Sequence, residues 1–235
     1  EKSVKDLRVA VWRDDDYAPV DQKVSARVDR VAEALKDLGA TIDYGARPKF
    51  KAEYADVVYQ SLLSATMAAR LPKEEYQRAI ERAEAVHPSD RSLGATIKRS
   101  RVSSFAHWSE QNELRTHLRW GWHEFFRGSG HNHFDVLLTP IMAAPAFPHD
   151  HRPMRERTIT VNDQEQDYFK QMFWAGLTCN AYLPSTVIPT GPNDNDLPIG
   201  IQIAGPEYGD LVTIGVAKLL EHEGFEFTPP PGYST

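Results

Sequence analysis

A single cysteine, Cys179, in 235 residues rules out an internal disulfide framework and fits a reducing compartment, so a cytoplasmic chain is expected. No apolar run reaches the length of a membrane span. The longest, residues 136–147, is cut by Pro140 and Pro145. A basic excess is missing too: 27 Lys and Arg stand against 33 Asp and Glu, a net charge of -6. Nucleic-acid binders usually carry a basic face, so neither a nucleic acid nor a membrane is an expected partner. The strong catalytic signatures are also lacking. There is no Gly-x-Ser-x-Gly, no His-Glu-x-x-His, no Walker loop and no Cys-x-x-Cys. With no signal peptide and no initiator Met, the expectation is a piece of a longer polypeptide.

What is present reads as α/β. Residues 7–12 are a Val-rich run that suits a buried strand. Asp21 can cap a helix whose Val24, Val28, Val31, Leu35 and Leu38 recur every three or four residues, and Gly39 is placed to stop it. Residues 40–44 read as a second strand, which completes a βαβ unit with parallel strands. The turn after the first strand, Arg13-Asp14-Asp15-Asp16-Tyr17, has no glycine and so is no dinucleotide fingerprint. Residues 52–128 read as helical, with helices at 54–71, 73–86 and 103–126 separated by Pro72 and His87-Pro88. Another strand is expected at 134–139, then a Pro- and His-rich loop to about residue 163 and a short helix at 168–178. Strands follow at 185–189 and 199–204. Ile199, Ile201 and Ile203 show the strand period, Gly205-Pro206 ends the pairing, and Asp210 suits an N-cap. Leu211, Ile214, Ala217 and Leu220 then form one helical face, and Gly224 ends that helix.

Several residue groups invite a chemical role. Asp14-Asp15-Asp16 could hold a divalent cation, although a solvated loop before a helix N-terminus explains it as well. His131-Asn132-His133 and His149-Asp150-His151 flank one strand, but no fixed ligand spacing supports zinc, and surface loops suffice. Cys179 is either a nucleophile awaiting a histidine or, more commonly, a small buried hydrophobe. Arg115 and Arg119, one turn apart, could clamp a carboxylate or simply pair with Glu113 and Glu124. Trp108, Leu118, Trp120, Trp122, Phe125 and Phe126 crowd the longest helix as core, or as a face covered by another part of the molecule.

Three segments carry a resemblance. They are Phe134-Asp135-Val136-Leu137-Leu138-Thr139-Pro140, then Leu183-Pro184-Ser185-Thr186-Val187-Ile188-Pro189-Thr190-Gly191, and Leu197-Pro198-Ile199-Gly200-Ile201-Gln202-Ile203-Ala204-Gly205-Pro206. Together with the opening βαβ unit they resemble the later part of the amidase-signature enzymes. The resemblance implies a mixed, mostly parallel sheet flanked by helices, with residues 1–235 forming the C-terminal portion of one such domain. It also implies amide hydrolysis by acyl transfer, through a serine assisted by a second serine and a lysine, with no metal and no cofactor. That triad belongs to the N-terminal half of the family. No Gly-Gly-Ser-Ser stretch occurs, and Ser103-Ser104 lies in a glycine-free helical segment, so no catalytic residue is assigned.

By the same resemblance, Thr139, Pro140 and Ile141 end a strand near the site, and residues 169–179 lie over the substrate. The implied substrate contacts are Thr139, Ile141, Met172, Phe173 and Cys179. Glutamine-using members carry an aspartate twelve residues before the proline matched by Pro184. Met172 stands there, flanked by Phe173 and Trp174, which implies an apolar or aromatic amide. Members of the family often have Asn and Gly where this chain has Cys179 and Tyr182. The implied partners are a small-molecule amide, the missing N-terminal half, or a second copy covering the same open face as a homodimer. A non-catalytic binding or assembly module on the same fold remains the alternative.

Overall fold

In the computed structural model, residues 3–128, 133–194, 196–230 and 232–233 are described. The N-terminal apolar run forms β1 (Arg8–Val11), where Val9, Ala10 and Val11 are buried. Asp21 caps α1 (Gln22–Asp37): its carboxylate accepts from the Lys23 N–H at 2.9 Å, as an N-cap side chain should. The stripe Val24, Val28, Val31 and Leu35 is buried. Gly39, at φ +102°, takes the left-handed turn that releases the chain into β2 (Thr41–Asp43). β2 runs parallel to β1, with Val9 opposite Ile42.

The main sheet has the order β2-β1-β3-β7-β6, where β3 is Val136–Pro140, β6 is Ser185–Pro192 and β7 is Pro198–Ala204. β1 is parallel to β2 and β3, whereas β7 is antiparallel to both β3 and β6. β7 therefore opposes its four companions, and the sheet is mixed but mostly parallel, as expected. The opposed strand follows from chain length, because the short link after β6 cannot make the crossover that a parallel pair needs.

Alternation along β7 separates two layers. Ile201 and Ile203 enter a cluster with Val28, Val31, Leu35, Val136, Leu138 and, from α7 (Asp210–Glu221), Val216 and Leu220. Gln202, pointing the other way, meets α6 (Met172–Ala181).

Three expectations need correction. The helix α7 is capped by Gly209, so Asp210 is its first residue rather than its N-cap. Its buried residues are Thr213, Val216 and Leu220, while Leu211 is 82% exposed and Ile214 53%. The phase is set by a polar residue. Thr213 Oγ1 sits 2.9 Å from Thr186 Oγ1 on β6, and a Cβ added at Gly205 would lie 2.6 Å from the Thr213 methyl. Second, the loop expected to run to residue 163 ends in a hairpin of β4 (Thr158–Val161) and β5 (Gln164–Asp167). Asn162 and Asp163 form its turn at φ 50° and 62°, the handedness that tight hairpins favour. Gln-Glu-Gln-Asp has little strand propensity, so only the turn signalled this pair.

The chain divides into two compact units, one of Glu1–Lys49 with Trp122–Thr235 and one of Phe50–Gly121. The second contains α2 (Ala52–Ala68), α3 (Lys73–Glu84), α4 (Leu93–Ser100) and the first part of α5 (Phe105–Arg127). The third correction is α4, absent from the expected set of helices. Its signal was Ser92, whose hydroxyl accepts from the Ala95 N–H at 3.2 Å. Ser104 does the same for His107 at the start of α5.

Tyr182 caps the C-terminus of α6 in the left-handed region, at φ 57° and ψ 35°. That conformation costs a side-chain-bearing residue about 1–2 kcal/mol, less roughly 0.5–1 kcal/mol for the greater freedom glycine has when unfolded. Tyr182→Gly is therefore expected to stabilise the protein by about 0.5–1 kcal/mol. Urea unfolding checks this: the midpoint should rise at unchanged slope, and a lower midpoint would mean that the ring's contacts outweigh the backbone strain.

Candidate active site

The sequence motif Leu-Pro-x-Gly-x-Gln places Gln202 in the middle of β7, fully buried. Its side-chain amide donates to Thr139 Oγ1 at 2.8 Å, to the Pro140 carbonyl at 3.2 Å and to the Trp174 carbonyl at 2.9 Å. Its Oε1 accepts from Ser185 Oγ at 2.7 Å and Thr178 Oγ1 at 3.5 Å. A buried carboxamide must satisfy both its protons and its lone pairs, and this one does. One side chain thus joins the end of β3, α6 and the start of β6.

The start of α6 is also held by aromatic packing. Trp12, just past β1, meets Trp174 edge-on at 5.8 Å and Phe173 at 6.1 Å. Phe173 also meets Trp174 at 5.0 Å and Tyr17 at 5.8 Å. Lys170 donates to the Tyr17 carbonyl at 2.6 Å and lies 4.1 Å from the centre of that ring, which fastens the turn before α6. Arg47 stacks over Trp12 at 5.2 Å, and burial pushes its guanidinium below its ordinary value.

Among the residues expected at the substrate, Thr139 is buried and hydrogen-bonded to Gln202, and Ile141 is half-buried in the following turn. Met172, the first residue of α6, is half-buried, and Cys179 is exposed rather than a small core hydrophobe. Seven residues apart, these two share one helical face. Phe173 points elsewhere: it is 1% exposed and packed in the aromatic cluster. A cavity of about 370 Å³ opens beside the loop after β3, lined by Asp21, Ala144, Phe147, Thr158 and Thr160 among others. None of the five expected contact residues lines it.

The other candidate groups have local work. Asp14 accepts from the Val20 N–H at 2.8 Å, and Asp15 accepts from the Tyr17 N–H at 2.9 Å and Trp12 Nε1 at 3.2 Å. These carboxylates fold the β1–α1 loop. His131 and Asn132 lie outside the described residues. His149 and His151 stand edge-on with centroids 6.1 Å apart. Between them, hydrogen bonds from the Arg152 side chain and backbone lower the Asp150 carboxyl from 3.8 to about 2. Arg115 donates to Asn112 Oδ1, and Glu124 pairs with Lys49 at 3.2 Å. Among the described residues, no three His, Cys, Asp or Glu side chains gather as metal ligands would, and no helix is long and apolar enough to cross a membrane.

The motif around Gln202 is visible in the sequence, but its spacing assigns the glutamine no role. Sequence reasoning also missed Asn162, whose side chain accepts from the Gln22 N–H at 2.9 Å and donates to the Val20 carbonyl at 3.0 Å, docking the hairpin on α1.

Comparison with known proteins adds to this geometry. A glutamyl-tRNA(Gln) amidotransferase subunit from Anaeromyxobacter sp. (strain K) is 27% identical over 98% of this chain and 47% of its own length. The subunit of the same name from Rhodospirillum rubrum is 26% identical over 99% of this chain and 46% of its own. The chain thus spans about half the length of the relatives it matches. Among solved structures, a bacterial aryl acylamidase of the amidase signature family superposes with a TM-score of 0.66 at 18% identity, over 97% of this chain and 47% of that one. The corresponding glutamyl-tRNA(Gln) amidotransferase subunit from Thermotoga maritima gives 0.65 at 18%, over 100% and 47%. The family model described as Amidase matches residues 1–213, and the chain belongs to the amidase family.

Proposed function

We propose that this chain is the C-terminal, pocket-bearing part of an enzyme that hydrolyses the C–N bond of a carboxylic amide to a carboxylic acid and ammonia or an amine. The nucleophilic serine, its bridging serine and the lysine are then supplied by polypeptide outside these residues. Acyl transfer through a serine ester needs only water as co-reactant, so neither metal nor cofactor is required. Family membership and the half-length match support the division of labour.

One observation carries the substrate class. Met172 stands half-buried at the start of α6, on the same face as Cys179, and the first turn of that helix holds no acid to grip an ammonium group. An apolar or aromatic acyl group suits such a wall, and glutamine does not.

The test compares this chain alone with the complete polypeptide that contains it. The chain alone should release no ammonia from benzamide or glutamine. The complete protein should hydrolyse benzamide at least about 10-fold more efficiently than glutamine. Turnover by residues 1–235 alone, kept in Cys179→Ala, would place the catalytic groups within this chain and refute the division. A preference for glutamine would refute the substrate class.

The exposed Leu211, Val212 and Ile214 on α7 favour association in either reading, with the missing half or with a second copy. A pure assembly module would associate in the same way and leave the complete protein inactive on every amide.

A further inference from the structure

We infer that Gln202 is a positioning residue: its carboxamide fixes where the end of β3 stands relative to α6, and through them sets the acyl selectivity of the site. This rests on the amide-hydrolase reading above. The residue touches none of the reacting atoms. It acts through Thr139 and Pro140, which lead directly into Ile141, and through the Trp174 carbonyl in the first turn of α6, which begins at Met172.

Valence and placement both lead to this role. Two amide protons meet three acceptors, the Thr139 hydroxyl and the carbonyls of Pro140 and Trp174, at 2.8, 3.2 and 2.9 Å. Oε1 cannot donate, so the Ser185 hydroxyl at 2.7 Å must turn its proton inward, and that bond selects the rotamer that aims the NH2 at the two carbonyls. A core position in a sheet is ordinarily filled by an apolar residue. Ile201 and Ile203 on either side are apolar and face the other layer. An amide at 0% exposure, satisfied on every side, specifies one arrangement of three elements where a leucine would allow several. Both arms of the network end beside the residues proposed to face the acyl group, and that is why it bears on selectivity rather than on stability alone.

The experiment uses the complete polypeptide containing this chain, with benzamide and acetamide as probes, since both release ammonia and differ only in the acyl group. In Gln202→Glu, a carboxylate would face the Pro140 and Trp174 carbonyls in place of the amide N–H groups, so burial and those oxygens raise its pKa. The neutral acid can still donate one proton, and the ion none. Wild-type selectivity, the ratio of kcat/KM for benzamide to that for acetamide, should be flat from pH 6 to 9. In Gln202→Glu it should fall about 10-fold or more as the pH rises through the acid's pKa, mostly through the KM for benzamide, with acetamide turnover retained.

Ser185→Ala, a milder change, should lower the ratio in the same direction without a pH dependence, and it keeps the test open if Gln202→Glu does not fold. A merely structural glutamine would lower both substrates together, in proportion to the folded fraction, and leave the ratio unchanged in every variant. That result overturns the inference. If the wild type hydrolyses neither amide, the amide-hydrolase reading fails on its own. The positioning claim is then decided by benzamide binding, followed by tryptophan fluorescence. Weaker binding in the variants at equal unfolding midpoint upholds it. Equal binding, or none by the wild type, overturns it.

Discussion

Trp174→Ala is expected to destabilise the sheet-bearing unit by about 3–5 kcal/mol, the range for removing a buried aromatic side chain from a close-packed core. Trp174 has no exposed surface and is hemmed in by Trp12 and Phe173 at 5.8 and 5.0 Å. Its Nε1–H, however, is buried with no hydrogen-bond partner in the structure. An unpaired buried donor carries a desolvation penalty of about 1–3 kcal/mol. Trp174→Phe keeps an aromatic body in the same place and deletes that donor, so lost packing and recovered desolvation oppose each other. The phenylalanine variant should therefore lie within about 1 kcal/mol of wild type, far from the alanine variant. Urea unfolding of the three proteins separates the cases. A phenylalanine variant as unstable as the alanine one would mean that Nε1 has a partner in solution, such as a bound water.

Legibility followed the range of the interactions. The βαβ unit was readable because each of its signals is local: the Asp21 cap, the spacing of Val24, Val28, Val31 and Leu35, and Gly39. The strand ending at Pro140 is readable from its apolar run and its breaker, and the one holding Gln202 from the alternation of Ile199, Ile201 and Ile203 and the Gly205-Pro206 stop. Where a distant partner decided, the reading failed. The apolar period puts Leu211 and Ile214 on the buried face of α7, whereas the buried face is Thr213, Val216 and Leu220, with the Thr213 hydroxyl against Thr186, and Leu211 lies outside. β5 forms from Gln-Glu-Gln-Asp only because Thr158–Val161 lies opposite and the Asn162-Asp163 turn brings the two together.

The candidate site divides in the same way. The sequence places Thr139 at a strand end, but it puts Met172 inside a helix at 168–178, whereas α6 begins at Met172. That Phe173 turns into the Trp12 cluster while Met172 and Cys179 share an outer face depends on the rotation of α6, which the Gln202 to Trp174 bond fixes from a strand farther along the chain.

Met172→Asp in the complete polypeptide is expected to invert the preference for the acyl group. The position tolerates an acid. It is half-buried rather than sealed in the core, so a carboxylate there keeps part of its hydration. The nearest lysine in sequence, Lys170, is already tied to the Tyr17 carbonyl at 2.6 Å, and residues two apart near a helix start do not face each other. The new carboxylate should thus remain available to a substrate. A charge-assisted hydrogen bond to an ammonium group is worth about 1.5–3 kcal/mol, which corresponds to about 10- to 150-fold in kcat/KM for amides that carry an amino group, such as glutamine. For benzamide the same carboxylate must lose its hydration against an apolar ring with nothing in return, so its kcat/KM should fall by about 10-fold or more. The measured quantity is the ratio of the two specificities, and an unchanged unfolding midpoint would show that the shift is not a loss of fold. A ratio that stays put while both activities fall would mean that Met172 lies away from the acyl group, and the apolar-amide reading would lose the residue that carries it.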